Sequence, residues 1–247
     1  MERASQRKLE NLLRTEAGQR NLTKRIPQLG FFSWNANDVS CSEDPSSKGC
    51  IVKASLNIAR VRQVKNHCTS RRFCQARWIE DLGLMDLDFV NLKFTYSSRF
   101  YNLDQIKTAL DPSFLDIYEE CCSSSVIFDR RRNRIPDEFA LGQAVYNKVK
   151  QDEVHRTTRY YTFFMEQDAA QTFTDILFES GDSDNYYIVY VTDYFPSVRL
   201  RRFIAKLRET KKQKNRWMKS KDGMCIAKQL MQGLGQIHRL NFAHKYA

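Results

Sequence analysis

The sequence is poor in the residues that mark low-complexity and fibrous chains. It has 9 glycines and 5 prolines among 247 residues, which excludes a collagen-like repeat and a Pro/Gly-rich disordered chain. A hydrophobic content of 42% and 16 phenylalanines can supply a core. We therefore expect one large globular domain or two smaller ones.

The sequence also lacks a long apolar run. No stretch approaches the roughly 18 apolar residues of a membrane-spanning helix, and the N-terminus, MERASQRKLENLLRTEAGQR, has no apolar core of a secretion signal. These absences predict a protein without a membrane partner, located in the nucleus or the cytoplasm. In such a reducing compartment we expect the seven cysteines to be free thiols.

The first four cysteines lack the paired short spacings that a zinc site needs. Structural zinc sites use pairs of ligands that lie a few residues apart. Cys41, Cys50, Cys68 and Cys74 are separated by 9, 18 and 6 residues (50−41, 68−50, 74−68). This spacing does not fit a zinc site, and the sequence predicts no metal ligand.

Acidic residues are outnumbered, 29 against 40 basic ones, for a net charge of +11. Residues 60–78 interleave basic side chains with Phe73 and Trp78, an arrangement that can neutralise phosphates and stack on bases. Residues 199–221 form the strongest basic run, as in phosphate-binding or nuclear-import patches. Nucleic acid or chromatin is therefore an expected partner, with solvated basic surfaces as the alternative.

The hydrophobic pattern predicts both helices and strands. The predicted helices lie at residues 103–120, with Pro112 as a possible start of a second helix, 198–209 and 224–239. The predicted strands lie at residues 84–96, 139–150, 159–166 and 186–194. Residues 1–25 indicate an exposed helix or a loose tail, and residues 35–50 a loop. The mixture predicts an α+β domain whose small sheet packs against helices.

Ordered segments of the second half resemble eukaryotic protein kinases, and among them the haspin family. Residues 141–149, LGQAVYNKV, are similar to the glycine-rich loop, and residues 171–179, QTFTDILFE, to helix C with its glutamate. Residues 161–165 resemble the third strand, and residues 187–194 the fifth strand and hinge. The remaining similar segments are residues 114–121 and 126–128, before the domain, and 240–244, at the approach to the catalytic loop.

The resemblance implies an α+β fold of a particular kind. A protein-kinase-like N-lobe, made of a small antiparallel sheet and helix C, would be followed by the first helices of a truncated C-lobe. The chain would divide into a basic N-terminal region of unknown fold, residues 1–112, and a partial kinase-like domain, residues 113–247.

The resemblance also implies an activity. Active haspins are nuclear serine/threonine kinases that use ATP and magnesium and phosphorylate a threonine of a histone tail in mitosis. The residues that would contact the nucleotide in this chain are Gly142, Val149, Glu179, Val191 and Asp193. The alternative hypothesis is a basic interaction protein that binds chromatin or nucleic acid.

Several positions depart from the kinase pattern. Phe164 stands in the place of the strand lysine that binds phosphate and pairs with the helix C glutamate, and Ala144 and Asn147 replace two glycines. Tyr246 stands where the catalytic loop has its aspartate, and the sequence ends at Ala247, before the metal-binding segments. We therefore expect an inactive pseudokinase or fragment without a catalytic residue.

The predicted helix at residues 224–239 has an apolar stripe formed by Ile226, Leu230, Leu234 and Ile237. At roughly 25 cal/mol per Å2 of apolar area, leaving such a stripe in water costs several kcal/mol. We expect this helix to pack on the N-terminal half or to be covered by a protein partner, unless the chain is a marginal fragment.

Overall fold

The computed structural model describes residues 2–41, 49–67, 76–97, 99–122, 134–149, 158–165, 186–195 and 221–238. The chain divides into two compact units. The first consists of Met1–Ala144 and Arg159–Tyr194, and the second of Val145–Thr158 and Phe195–Ala247. The predicted α+β class is confirmed, since helices accompany an antiparallel sheet.

The first unit is built on an antiparallel sheet of six strands. These strands are β1 (Phe32–Ser33), β2 (Val39–Cys41), β3 (Gly49–Leu56), β4 (Val90–Ser97), β7 (Tyr160–Met165) and β8 (Tyr186–Asp193). Their order is β1–β3–β4–β8–β7, and β2 also pairs with β3. Strands β5 (Phe100–Asn102) and β6 (Arg134–Pro136) form a separate antiparallel pair.

Seven helices of the described residues begin in the first unit and one lies in the second. They are α1 (Glu2–Arg14), α2 (Glu16–Arg25), α3 (Ile58–Asn66), α4 (Arg77–Asp81), α5 (Leu103–Ile106), α6 (Pro112–Cys122), α7 (Asp137–Val149) and α8 (Lys221–His238). Short 3-10 turns occupy Pro27–Phe31, Ala36–Asp38, Leu84–Asp86 and Lys107–Ala109. None of the helices in the described ranges combines the length and apolar character that a membrane span requires.

The N-terminal helices belong to the core of the first unit. Leu9 and Leu13, one helical turn apart, are 2% and 0% exposed, and Leu22 of α2 is also buried. A Cβ on Gly18 would lie 2.3 Å from the carbonyl oxygen of Leu12, so a glycine is required where α1 and α2 meet. The expectation of an exposed helix or loose tail is therefore wrong, because the leucine face packs into the core.

One face of the main sheet is fully buried. Leu92 lies between Val52 and Val191 across β3, β4 and β8, and all three side chains are 0% exposed. Phe164 of β7 lies on this face, next to Val189. Its ring lies 5.3 Å from the ring of Trp78, so α4 covers this end of the face.

Helices α6 and α7 cover part of the opposite face. Phe163 follows the alternation of β7 and points away from Phe164. Its ring centroid lies 4.9 Å from that of Phe139 in α7 and 6.1 Å from that of Phe114 in α6. Three buried phenylalanines thus attach both helices to the sheet.

Several predicted elements are confirmed. Strands β7 and β8 and helix α8 coincide with the predictions at residues 159–166, 186–194 and 224–239 within a few residues. Helix α6 begins at Pro112 as predicted. The predicted strand at 84–96 is correct only from Val90 onward, since Leu84–Asp86 is a 3-10 turn.

Other predicted elements are wrong. Residues 39–41 and 49–50, predicted as loop, lie in strands β2 and β3. The predicted strand at 139–150 is helix α7, which begins with Asp137 and Glu138 and has Lys148 in its last turn. These charges suit the two ends of a helix dipole. The predicted helix at 198–209 lies outside the described residues.

The predicted division of the chain at residues 112 and 113 is also wrong. Strand β4, before this boundary, pairs with β8, after it, along its whole length from Val90↔Asp193 to Ser97↔Tyr186. Separate domains cannot share a continuous sheet of this kind. The basic N-terminal region therefore contributes strands β1 to β4 to the same unit as β7 and β8.

Two of the cysteines are not free thiols. Cys41 of β2 and Cys50 of β3 face each other in the strand register and form a disulfide with a Cα–Cα distance of 4.1 Å. The expectation of free thiols is wrong for this pair because strand pairing brings residues from either side of 42–49 into contact. Cys225 is an exposed free thiol.

Candidate functional site

Four of the five predicted nucleotide-contacting residues lie in a helix and a strand of the described structure. Gly142 and Val149 lie in helix α7, so residues 141–149 do not form a glycine-rich loop. Val191 and Asp193 lie in strand β8. Glu179 lies outside the described residues, as does the segment that ends the chain with Tyr246.

Gly142 has a packing role. A Cβ at this position would lie 2.4 Å from Cδ2 of Tyr160 and 2.7 Å from Cε2 of the same ring. The prediction that this glycine lets a phosphate approach the backbone is therefore wrong. It lets the ring of Tyr160 approach the backbone of α7.

Val191 and Asp193 have structural roles in the sheet. Val191 is 0% exposed. Asp193 accepts hydrogen bonds from the backbone N–H of Arg159 at 3.0 Å and from the hydroxyl of Tyr161 at 2.6 Å. These bonds hold the beginning of β7 to the end of β8. Val191 therefore packs in the core, and Asp193 connects two strands.

The side chain of Phe164, at the position compared with the phosphate-binding lysine of kinases, points into the core. Its side chain is 0% exposed and lies between the rings of Phe32 and Trp78. A lysine here would bury its charge in an aromatic cluster. Phe164 is thus a core residue of strand β7.

A lysine and a glutamate do form an ion pair between a central strand and a helix. Lys93 of β4 points away from the buried face occupied by Leu92 and Phe94. Its ammonium donates to Oε1 of Glu138, in the first turn of α7. The side chains are 35% and 32% exposed, so a ligand in solution can reach the pair.

Tyr160 provides a second donor to the same carboxylate. Its hydroxyl donates to Oε1 of Glu138 at 2.7 Å. Burial of the hydroxyl, together with the adjacent negative charge of Glu138, raises the pKa of Tyr160 well above its usual value. The phenol therefore keeps its proton near neutral pH and acts as a donor.

Tyr190 lies beside this pair. It faces Lys93 directly across β4 and β8, and its ring centroid is 5.7 Å from that of Tyr160. Burial is the main cause that raises the pKa of Tyr190, and the charge of Glu138 adds to it. Its buried hydroxyl has no hydrogen-bond partner among the described residues.

A second lysine lies on the same face of the sheet. Lys53 of β3 pairs in register with Asn91, two residues before Lys93. Its ammonium lies 3.8 Å from the ring centroid of Phe89 and 4.9 Å from that of Tyr194. Lys53 and Lys93 therefore place two positive charges on neighbouring strands of the partly open face.

The basic stretch at residues 60–78 is only partly available for binding. Trp78 is 2% exposed and packs in the core, so it cannot stack on a base. Lys65 pairs with Glu80, while Arg60 and Arg62 are exposed on α3. Phe73 and residues 199–220 of the second basic run lie outside the described residues.

The apolar stripe of α8 is partly exposed. Leu230 is 52% exposed, and the neighbouring Met224 and Met231 are 62% and 69% exposed. The other predicted stripe residues, Ile226, Leu234 and Ile237, are half-buried. The proposed protein partner of this helix stays a prediction.

No family model, curated protein or solved structure matches the chain. Within the described ranges, no group of three or more His, Cys, Asp and Glu side chains is arranged to hold a metal ion. Any functional interpretation therefore depends on the site geometry, in which the Lys93–Glu138 pair is the most distinctive feature.

The sequence contained one signal for this pair. Lys93 interrupts the apolar run of a predicted strand at a position that alternation assigns to the other face. No local signal identified its partner, because Glu138 is 45 residues away along the chain.

Proposed function

We propose that the first unit is a protein-kinase-like nucleotide-binding domain, which binds ATP without transferring its phosphate, as in a haspin-like pseudokinase. The observation that carries the proposal is the ion pair between Lys93 and Glu138. In protein kinases a strand lysine contacts the α- and β-phosphates of ATP and pairs with a glutamate of the adjacent helix. Lys93 and Glu138 take these two roles here.

The position of the pair in the sheet supports the proposal. Strand β4 is an inner strand of the sheet and is flanked by β3 and β8. Strand β8 ends at Asp193, where the resemblance expects the hinge. On this assignment α7 is the equivalent of helix C, and Glu138 replaces Glu179 as its glutamate.

The chemistry of the site fits the phosphates of a nucleotide. Lys93 is a cation that is one-third exposed on the partly open face of the sheet, and Lys53 adds a second cation on the same face. Charge-assisted hydrogen bonds from an ammonium to phosphate oxygens are stronger than neutral ones. Magnesium would reach the site bound to ATP, where it would screen phosphate charge, and we assign it no protein ligand.

The proposed lack of phosphoryl transfer depends on one position. Tyr246 stands where an active kinase has the aspartate that accepts the proton of the substrate hydroxyl. A phenol keeps its proton near neutral pH and cannot accept another as a carboxylate does. A histone-tail substrate and a nuclear location are implied only by the resemblance and stay predictions.

Thermal unfolding in the presence of ATP and magnesium tests the proposal. A ligand that binds the folded state raises the midpoint temperature, by an amount that grows with the logarithm of the ratio of its concentration to its Kd. We expect a rise for the wild type and an affinity about tenfold or more weaker for Lys93→Met, from the loss of a charged contact to phosphate. Lys65→Met is the matched control, because Lys65 forms a similar pair with Glu80 elsewhere.

Two results of the unfolding measurement would contradict the proposal. An equal loss in both lysine variants would remove Lys93 from the site. The absence of any shift at millimolar ATP would remove nucleotide binding altogether.

Arg60 and Arg62, both exposed on α3, favour nucleic-acid binding as a second candidate function. Such binding weakens steeply with salt, because cations are released from the phosphates. We expect Arg60→Glu combined with Arg62→Glu to weaken binding to duplex DNA and to flatten this salt dependence. Binding that is absent or insensitive to salt in the wild type rejects this function.

A further inference from the structure

We propose that Tyr160 is a positioning residue that holds Glu138 on Lys93 and keeps α7 locked against the sheet before any ligand binds. The inference rests on the proposed nucleotide site for its functional meaning, and on the contacts of Tyr160 for its structural basis. Tyr160 is the first residue of β7, and it reaches α7 with its hydroxyl, its ring and its backbone.

Three contacts connect Tyr160 to three residues of α7. The hydroxyl donates to Glu138 at 2.7 Å, and the ring lies against Gly142 so closely that no side chain fits between them. The backbone carbonyl accepts a hydrogen bond from Nε2 of Gln143 at 2.5 Å. Residues 138 and 142 are one turn apart on one helix face, so α7 cannot leave the sheet without breaking all three contacts.

The surroundings of Tyr160 restrain it on both sides. Its ring centroid lies 6.3 Å from that of Phe139 and 5.7 Å from that of Tyr190, both in edge-to-face geometry. Gln143 also accepts a hydrogen bond from the backbone N–H of Asp111 at 2.7 Å, which extends the restraint to the start of α6. The hydroxyl of Tyr160 is therefore presented to Glu138 from a fixed direction.

The restraint acts on Lys93 through Glu138. The carboxylate is 32% exposed and, without Tyr160, would be free to rotate towards water. With a fixed second donor, it stays where it accepts from the ammonium. Protein kinases control activity by moving the helix that carries this glutamate. In this chain, Tyr160 keeps the pair assembled permanently.

Tyr160→Phe and Tyr161→Phe form a matched pair of variants for the test. Each removes one hydroxyl that donates to a carboxylate, of Glu138 in the first case and of Asp193 in the second. Both keep the ring, so folding is preserved. The first readout needs no nucleotide: the rate at which an amine-acylating reagent labels Lys93, measured by mass spectrometry with Lys53 as internal reference.

We expect Tyr160→Phe to label Lys93 about tenfold faster, in line with the loss of one hydrogen bond to a charged group, and Tyr161→Phe to label it at the wild-type rate. The affinity for ATP with magnesium should fall about fivefold in Tyr160→Phe only. Equal labelling of Lys93 in the two variants overturns the positioning role, whether or not ATP binds.

Failure of the proposed function would look different. If ATP binds to no variant but Lys93 is labelled faster in Tyr160→Phe, Tyr160 positions Glu138 as proposed and the proposed nucleotide site is wrong. A drop in thermal stability that is equal in the two variants, with no change in labelling, identifies a purely structural hydroxyl and contradicts the inference.

Discussion

Gly142 and Tyr160 are in such close contact that a Cβ on the glycine would lie 2.4 Å from the tyrosine ring. Helix α7 and strand β7 are therefore held at a distance that only glycine permits. This contact places Glu138, one turn earlier in the helix, within reach of both Tyr160 and Lys93.

Gly142→Ala should destabilise the protein. The added methyl group has to displace a ring that is packed between two others, and overpacking of this kind costs about 1–3 kcal/mol. Gly233→Ala is the control, because this glycine of α8 has nothing within 4 Å of its Cβ position and alanine favours a helix by about 1 kcal/mol. Urea unfolding measures both, and equal effects would contradict the close contact.

Phe164→Lys should unfold the first unit and should not restore a nucleotide site. The ring lies in an aromatic cluster with Trp78 and Phe32. Loss of a buried ring costs about 3–5 kcal/mol, and burying a charge adds to this cost. Phe195→Lys, at a position that is 54% exposed, should be nearly neutral. A folded Phe164→Lys variant with improved ATP affinity would reinstate this position as the lysine site.

Stability should fall in alkaline solution because buried phenols resist ionisation. Burial raises the pKa of Tyr160, Tyr187 and Tyr190 above that of an exposed tyrosine. Above pH 10 only the unfolded chain loses these protons, so the stability present below pH 10 declines as pH rises. Each tyrosine contributes about 1.4 kcal/mol per pH unit.

Urea midpoints between pH 8 and pH 11 measure this decline. Tyr187→Phe should give a flatter profile than the wild type, since one buried phenol no longer contributes. Tyr101→Phe, at an exposed position, should reproduce the wild-type slope. Parallel profiles for the two variants would contradict the prediction.

Reduction of the Cys41–Cys50 disulfide should lower stability. A cross-link that closes a loop of about ten residues restricts the unfolded chain, which corresponds to about 2–3 kcal/mol. Cys50→Ser and treatment of the wild type with a dithiol reductant should both show this loss, whereas Cys225→Ser should not. A stability that is unaffected by the reductant would mean that the pair is not closed in solution.

The elements predicted correctly are those whose local pattern has one interpretation. The apolar run at residues 186–194 is too short for a typical helix and rich in β-branched residues, and it forms β8. Pro112 suits the first turn of a helix and begins α6. The stripe at 224–239 has helical period and forms α8.

The elements predicted wrongly depend on contacts with distant residues. Residues 139–149 contain both apolar and polar side chains, and only the packing of Phe139 on Phe114 and Phe163 identifies the buried face of a helix. Residues 1–25 have a leucine stripe whose burial depends on a partner surface. The leucine pattern alone could not show that the first unit itself provides the surface that covers these leucines.

The sequence by itself determined the α+β class and the alternation that turns Lys93 away from the buried face of its strand, because both follow from local periodicity. Only the tertiary structure decided that Glu138 is a partner of Lys93. This pairing depends on strand register, on the position of α7 and on the ring of Tyr160 against Gly142. These contacts join residues far apart along the chain, and no local pattern encodes them.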